Sequence, residues 1–179
     1  MSIRRILVAS SCLAIACCTP PPEPAPVTPP AVTTPSPAPA PAPALAPVKE
    51  NWMDMARTPG DWRYSDAGAR SHAAYGAPGG TPIFVIGCDK AARQVHLIRA
   101  GSAQGRVPMR VLSETADRML DAQATTGSTA MVQATLSARD PLLDAIAFSK
   151  GRFAVEVPGM DTLYLPSWTE VSRVVEDCR

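Results

Sequence analysis

Histidine is almost missing from this sequence: its 179 residues hold two, His72 and His96. A metal centre built on histidine is short of ligands, so no metal and no other cofactor is expected. Lysine is scarce, and beyond residue 48 it occurs only as Lys49, Lys90 and Lys150. Two of the 17 basic residues, Arg4 and Arg5, and one of the 16 acidic residues, Glu23, precede Lys49, so the charges of the remainder balance. With no run of one sign, the basic stripe of a nucleic-acid binder is excluded as an expectation. No apolar run reaches the roughly 18 residues of a membrane-spanning helix. Absent too are the G-x-S-x-G elbow, the H-E-x-x-H helix and a glycine-rich phosphate loop after a strand. Ser149 and Lys150 are adjacent, which is not the S-x-x-K spacing of a serine–lysine nucleophile. Asp140 and Asp144 share a helix face, but at a helix start they serve as cap and first-turn charge. A histidine base needs a partner in hydrogen-bond reach, and nothing in the sequence supplies one. The chain is therefore not expected to be an enzyme.

What is present begins with a targeting segment. Arg4 and Arg5 precede an apolar run over residues 6–16, a length suited to the hydrophobic region of a signal peptide. Leu13-Ala14-Ile15-Ala16-Cys17-Cys18 follows, and small residues before a cysteine resemble the lipobox of bacterial lipoproteins. That resemblance implies a signal peptide over residues 1–17 and a diacylglyceryl thioether on Cys17, with Cys18 as the alternative. Ala14-Ile15-Ala16 also suits ordinary signal peptidase, whose product would be a soluble periplasmic protein. Acyl chains would attach the protein to a lipid bilayer at about 0.8 kcal/mol per buried methylene. No aspartate follows Cys17, which in bacterial lipoproteins favours the outer membrane, facing the periplasm.

Thirteen of the 20 prolines fall between Pro20 and Pro47. Proline fixes φ and removes an amide donor, so neither helix nor sheet is expected over residues 18–48. A disordered tether in polyproline II, with a reach of roughly 85 Å, is expected instead. Residues 49–179 then form a single globular domain, of ordinary size for one core.

Within that domain the only cysteines are Cys88 and Cys178. In an oxidising compartment two cysteines imply one disulfide, the alternative being two buried free thiols. A compact apolar run predicts a buried strand over 83–88, which with the alternating 94–99 reads as a β-hairpin. Alternation also predicts strands over 130–137 and 152–157, and further strands are expected over 61–64, 108–113, 118–122 and 162–165, the last in a hairpin with 152–157. The rest of 51–80 reads as an irregular wrap, with His72 in a Gly/Ala-rich loop. Asp140-Pro141 reads as an N-cap followed by proline in the first helical turn, opening a helix through Ser149. Ser167-Trp168-Thr169-Glu170 reads as a capping box for a last helix, with Trp168, Val171, Val174, Val175 and Cys178 on one face. The fold class expected is α+β: a small antiparallel β-sandwich or open barrel with one short helix and a C-terminal capping helix.

Aromatic residues make up 5% of the chain, yet Trp52, Trp62, Tyr64 and Tyr75 crowd one stretch. They either cover the core's open edge or form a partner surface.

Pro59-Gly60-Asp61-Trp62-Arg63-Tyr64, Gly87-Cys88-Asp89, the run 140–157, and Leu165-Pro166-Ser167-Trp168 through Glu176-Asp177-Cys178-Arg179 resemble lipoproteins of sphingomonad-type alphaproteobacteria. That resemblance implies an exported, lipid-anchored protein and carries no catalytic residues. The order of an early strand ending in cysteine, a late strand and a terminal helix ending in cysteine is similar to periplasmic invasion-associated-locus proteins, which implies a β-sandwich. The function expected is a non-catalytic, envelope-anchored binding or accessory protein with an envelope protein as partner. A periplasmic inhibitor of a lysozyme-type hydrolase, or an enzyme whose site assembles only in three dimensions, are the alternatives.

Overall fold

The structure is a computed structural model, described here for residues 51–179. The expected signal peptide, Cys17, Cys18 and the proline-rich tether lie outside the described residues. Among the described residues the chain forms nine strands and two α-helices, after a short 3-10 turn at Trp52–Asp54. The strands are β1 (Asp61–Asp66), β2 (Arg70–Gly76), β3 (Phe84–Asp89), β4 (Gln94–Ala100), β5 (Arg106–Leu112), β6 (Asp117–Ala124), β7 (Met131–Ser137), β8 (Arg152–Glu156) and β9 (Leu163–Pro166). The helices are α1 (Pro141–Ala147) and α2 (Thr169–Asp177). All nine strands join one antiparallel sheet in the order β1-β2-β3-β4-β7-β6-β5-β8-β9. The fold is the expected α+β type, a small open barrel with a helix at its C-terminal end.

Side chains of successive strand residues point to opposite faces, so β3 and β4 bury every second residue. Ile86, Cys88, Val95, Leu97, Val132 and Ala134 point inward in this way and build the interior. The two outermost strands approach each other again. Thr58, just before β1, donates its N–H to the Tyr164 carbonyl at 3.0 Å, and Tyr164 N–H returns a bond to Thr58 Oγ1 at 2.9 Å. Trp62 Nε1 donates to the Pro166 carbonyl at 2.8 Å. The indole packs edge-on against Tyr75 at 5.0 Å between ring centroids, and lies 6.5 Å from the Phe153 ring.

Pro108 sits inside β5, a position proline normally avoids. It is tolerated because β8 pairs with β5 only from Arg110 to Leu112, leaving the stretch around Pro108 bonded to β6 alone.

Helix α1 starts as expected. The Asp140 carboxylate accepts from Leu142 N–H at 2.9 Å, and Pro141 occupies the first turn. Leu142, Leu143, Ile146 and Ala147 are buried. An additional tie was not expected: both Arg118 guanidinium nitrogens bond the Asp140 carboxylate. Gly151 turns the chain into β8 at φ +80°, a conformation that favours glycine.

Helix α2 corrects the sequence reading at its first turn. Trp168, not Ser167, holds the N-cap position, and no side chain caps it. Ser167 Oγ and Glu170 Oε2 make no bond, so the capping box does not form. The reason is local: Ser167 N–H reaches back to the Gly151 carbonyl, which extends the β9 pairing by one residue and delays the helix. Trp168 consequently leaves the apolar face; it is exposed and carries Arg57 over its ring at 4.9 Å. Val171, Val174, Val175 and Cys178 do form the buried stripe, which packs on β1, β2, β3 and α1.

Candidate functional site

The two cysteines meet. Cys88 at the end of β3 and Cys178 at the end of α2 have Cα atoms 5.6 Å apart and bonded sulfurs, with both residues buried. This crosslink joins elements 90 residues apart and staples the last helix to a central strand. It is a structural brace within the core, not an accessible redox pair.

The four aromatics do not form one surface. Tyr75 is fully buried and Trp62 almost so, which removes both from the expected partner surface. They are core residues because inward-facing positions of β1 and β2 point into the barrel. Trp52 is half-buried in the 3-10 turn beside β8. Tyr64 is half-buried and fully employed: its hydroxyl donates to Asp177 Oδ2 at 2.7 Å, and Arg173 lies 4.1 Å above its ring. The bond to Asp177 is the main reason its hydroxyl pKa is raised. Tyr64 therefore ties β1 to α2. Of the paired carboxylates, Asp140 is clamped by Arg118 and Asp144 pairs with Arg179 at 2.7 Å. Ser149 donates to the Arg152 carbonyl at 2.5 Å and accepts from Glu114 N–H at 3.0 Å, so its hydroxyl is occupied.

The histidines are the surprise. His72 does not lie in a loop but in β2, a strand the sequence reading missed. Its register puts it opposite Gly87 of β3, and Gly87 is in turn opposite His96 of β4. Thr135 of β7 pairs with His96 and continues the row. Both histidines thus stand on the outer face of the sheet, two strand spacings or roughly 10 Å apart. Between them Gly87 contributes no side chain, and a Cβ built there meets nothing within 4 Å. The result is an open groove of about 380 Å³, bordered at one end by Arg70 and Asp89 and floored towards the other by Val85 and Ile98. Gln133, which lines this groove, also borders a second, smaller hollow of about 150 Å³ with Thr135, Arg106, Asp121 and Gln123.

His96 is half-buried, and its ring is held on one side. Gln133 Nε2 lies 3.1 Å and Thr135 Oγ1 3.0 Å from Nδ1. With Nδ1 taken up by these two partners, Nε2 is the ring nitrogen left for a bound molecule. Burial pushes the imidazole pKa down; nearby Asp89 opposes this and Arg70 reinforces it. The neutral imidazole is therefore favoured at His96. Arg70 and Asp89 face each other at 3.6 Å, so the rim charges cancel. Asp89 is held below the usual carboxylate range chiefly by its bond from Ala92 N–H. Among the described residues no group of three or more His, Cys, Asp or Glu side chains could hold a metal ion, and no helix is long and apolar enough to cross a membrane.

Gln133 and Thr135 were not singled out from the sequence, and Gly87 stood out only within the Gly87-Cys88-Asp89 motif. The signal available was the outward phase of β4 and β7, which points His96, Gln133 and Thr135 to one face. Compared with family models, curated proteins and solved structures, the chain matches none.

Proposed function

We propose that this chain is a non-catalytic binding or accessory domain of the bacterial envelope, carried on a proline-rich tether and held to the membrane by acyl groups on Cys17. The observation that carries the binding reading is the outer-face groove between His72 and His96, open at Gly87 and lined by groups suited to recognition. Its best-held imidazole has Nδ1 occupied by an amide and a hydroxyl, with no carboxylate orienting it as a base. Such a ring is held for hydrogen bonding rather than oriented for proton transfer. The anchoring reading rests on Arg4, Arg5, the apolar run and the cysteine after Ala14-Ile15-Ala16.

The test is a photo-crosslinking residue placed at position 133 or at position 148 of the full chain, expressed in a Gram-negative host fed an alkyne fatty acid. Phe148 is exposed and outside the groove, so it serves as the control. Expected are fatty-acid labelling that Cys17→Ser abolishes and light-induced adducts from position 133 alone. Membrane-attached, labelled protein that gives no adduct from position 133 would refute binding at the groove. Unlabelled, soluble protein would refute the anchor.

A further inference from the structure

We infer that the groove over Gly87 binds a neutral oligosaccharide, a step that rests on the binding reading above. The first argument is topological. β2, β3, β4 and β7 are consecutive members of the sheet, and the groove's histidines sit on β2 and β4, each flanked by a strand on both sides. Their backbone donors and acceptors are spent in the ladders, so an extended peptide finds no edge to pair with, and recognition falls to side chains.

The second argument is the chemistry of the surface. Gly87, Val85 and Ile98 make a small apolar floor, and His72, His96 and Gln133 rise at its sides as planar polar groups. A pyranose ring has the complementary make-up, an apolar C–H face surrounded by hydroxyls that both donate and accept. Gln133 offers its amide oxygen, its Nε2 being turned to His96 and Thr135, and His96 offers its Nε2. The third argument is charge. Arg70 is matched by Asp89, and in the adjoining hollow Arg106 is matched by Asp121 at 2.5 Å. An anion would be recognised by an uncompensated cation, and neither hollow offers one. The fourth is extent. A volume of about 380 Å³ is at the low end for a ligand site, and the adjoining hollow shares Gln133 with it. An open groove with a second hollow beside it suits a chain of sugars better than an enclosed single ring.

The chain's two histidines make the test direct, because both imidazole C–H signals report on the groove. The full, untagged chain in zwitterionic micelles, which carry no sugar, is titrated with tri-N-acetylchitotriose and separately with maltotriose, and followed by proton NMR. Both imidazole signals are expected to move with one or both sugars. Movement with the acetylated sugar alone identifies a cell-wall type of glycan, and movement with both identifies a general polyol site. Gly87→Leu fills the floor from a position with free space, so it should fold and weaken binding at least about tenfold. Phe148→Ser should bind as the parent does. Imidazole signals that stay still with both sugars at millimolar concentration, or a Gly87→Leu chain that titrates like the parent, overturn the inference. If those signals stay still while position 133 still crosslinks, the oligosaccharide is wrong and the binding site stands. If crosslinking fails as well, both are wrong.

Discussion

Replacing both Cys88 and Cys178 by alanine tests what holds the last helix in place. The crosslink closes a loop of 90 residues in the unfolded chain. The chain-entropy relation for such a loop gives about 4.5 kcal/mol at 25 °C. Two effects modify that figure. Both sulfurs are buried, so the alanines leave a small void and add to the loss. Against this, α2 keeps Val171, Val174 and Val175 in the core, and the unfolded chain retains some compactness, which lowers the entropic gain. A net loss of about 3–5 kcal/mol is expected, a large share of the 5–15 kcal/mol that holds a typical domain together. With a urea slope of roughly 1.5 kcal/mol/M, the unfolding midpoint should fall by about 2–3 M. The assay is equilibrium urea unfolding followed by the fluorescence of buried Trp62, with the parent kept oxidised. Coincident midpoints for parent and double variant would refute the reasoning, since a bond across so long a loop cannot be thermodynamically silent unless the helix is already held by something else.

Two further outcomes follow from single side chains. Asp140→Ala removes the cap on Leu142 N–H and the partner of Arg118 together, so it should cost about 1–2 kcal/mol in urea unfolding, and Asp140→Asn should recover the cap but not the ion pair. Glu156 is buried on β8 with one carboxylate oxygen unbonded, and burial raises its pKa above the ordinary 4.5, with Arg110 opposing. Its stabilising contribution is present below the unfolded value and is lost as pH rises through the folded value. Glu156→Gln should therefore gain in stability relative to the parent as pH goes from acid to neutral; a difference that shrinks over that range would show that the Arg110 pairing at 3.7 Å dominates instead.

The two halves of the described chain differ in how far they could be read. The hairpin of β3 and β4 was legible because 83–88 is a compact apolar run and Val95 and Leu97 alternate with outward residues just after it. β2 was not legible: Arg-Ser-His-Ala-Ala-Tyr-Gly has few residues that favour strands, and its conformation is imposed by pairing with β1 and β3 on both sides. That one omission hid the groove, because His72 reaches Gly87 and His96 only through the register of β2. The capping box failed for a related reason, a long-range bond from Ser167 to Gly151 outweighing a local pattern.

Periodicity, proline placement and the count of cysteines are local or compositional, and they alone determined the α+β class, the start of α1 and the apolar stripe of α2. Register, by contrast, joins residues far apart in the chain, and a slip of one residue would send His72 and His96 to opposite faces of the sheet. Tertiary structure therefore decided which of the four aromatics entered the core, Trp62 and Tyr75, and where a surface hollow opened, over a glycine that no neighbour fills.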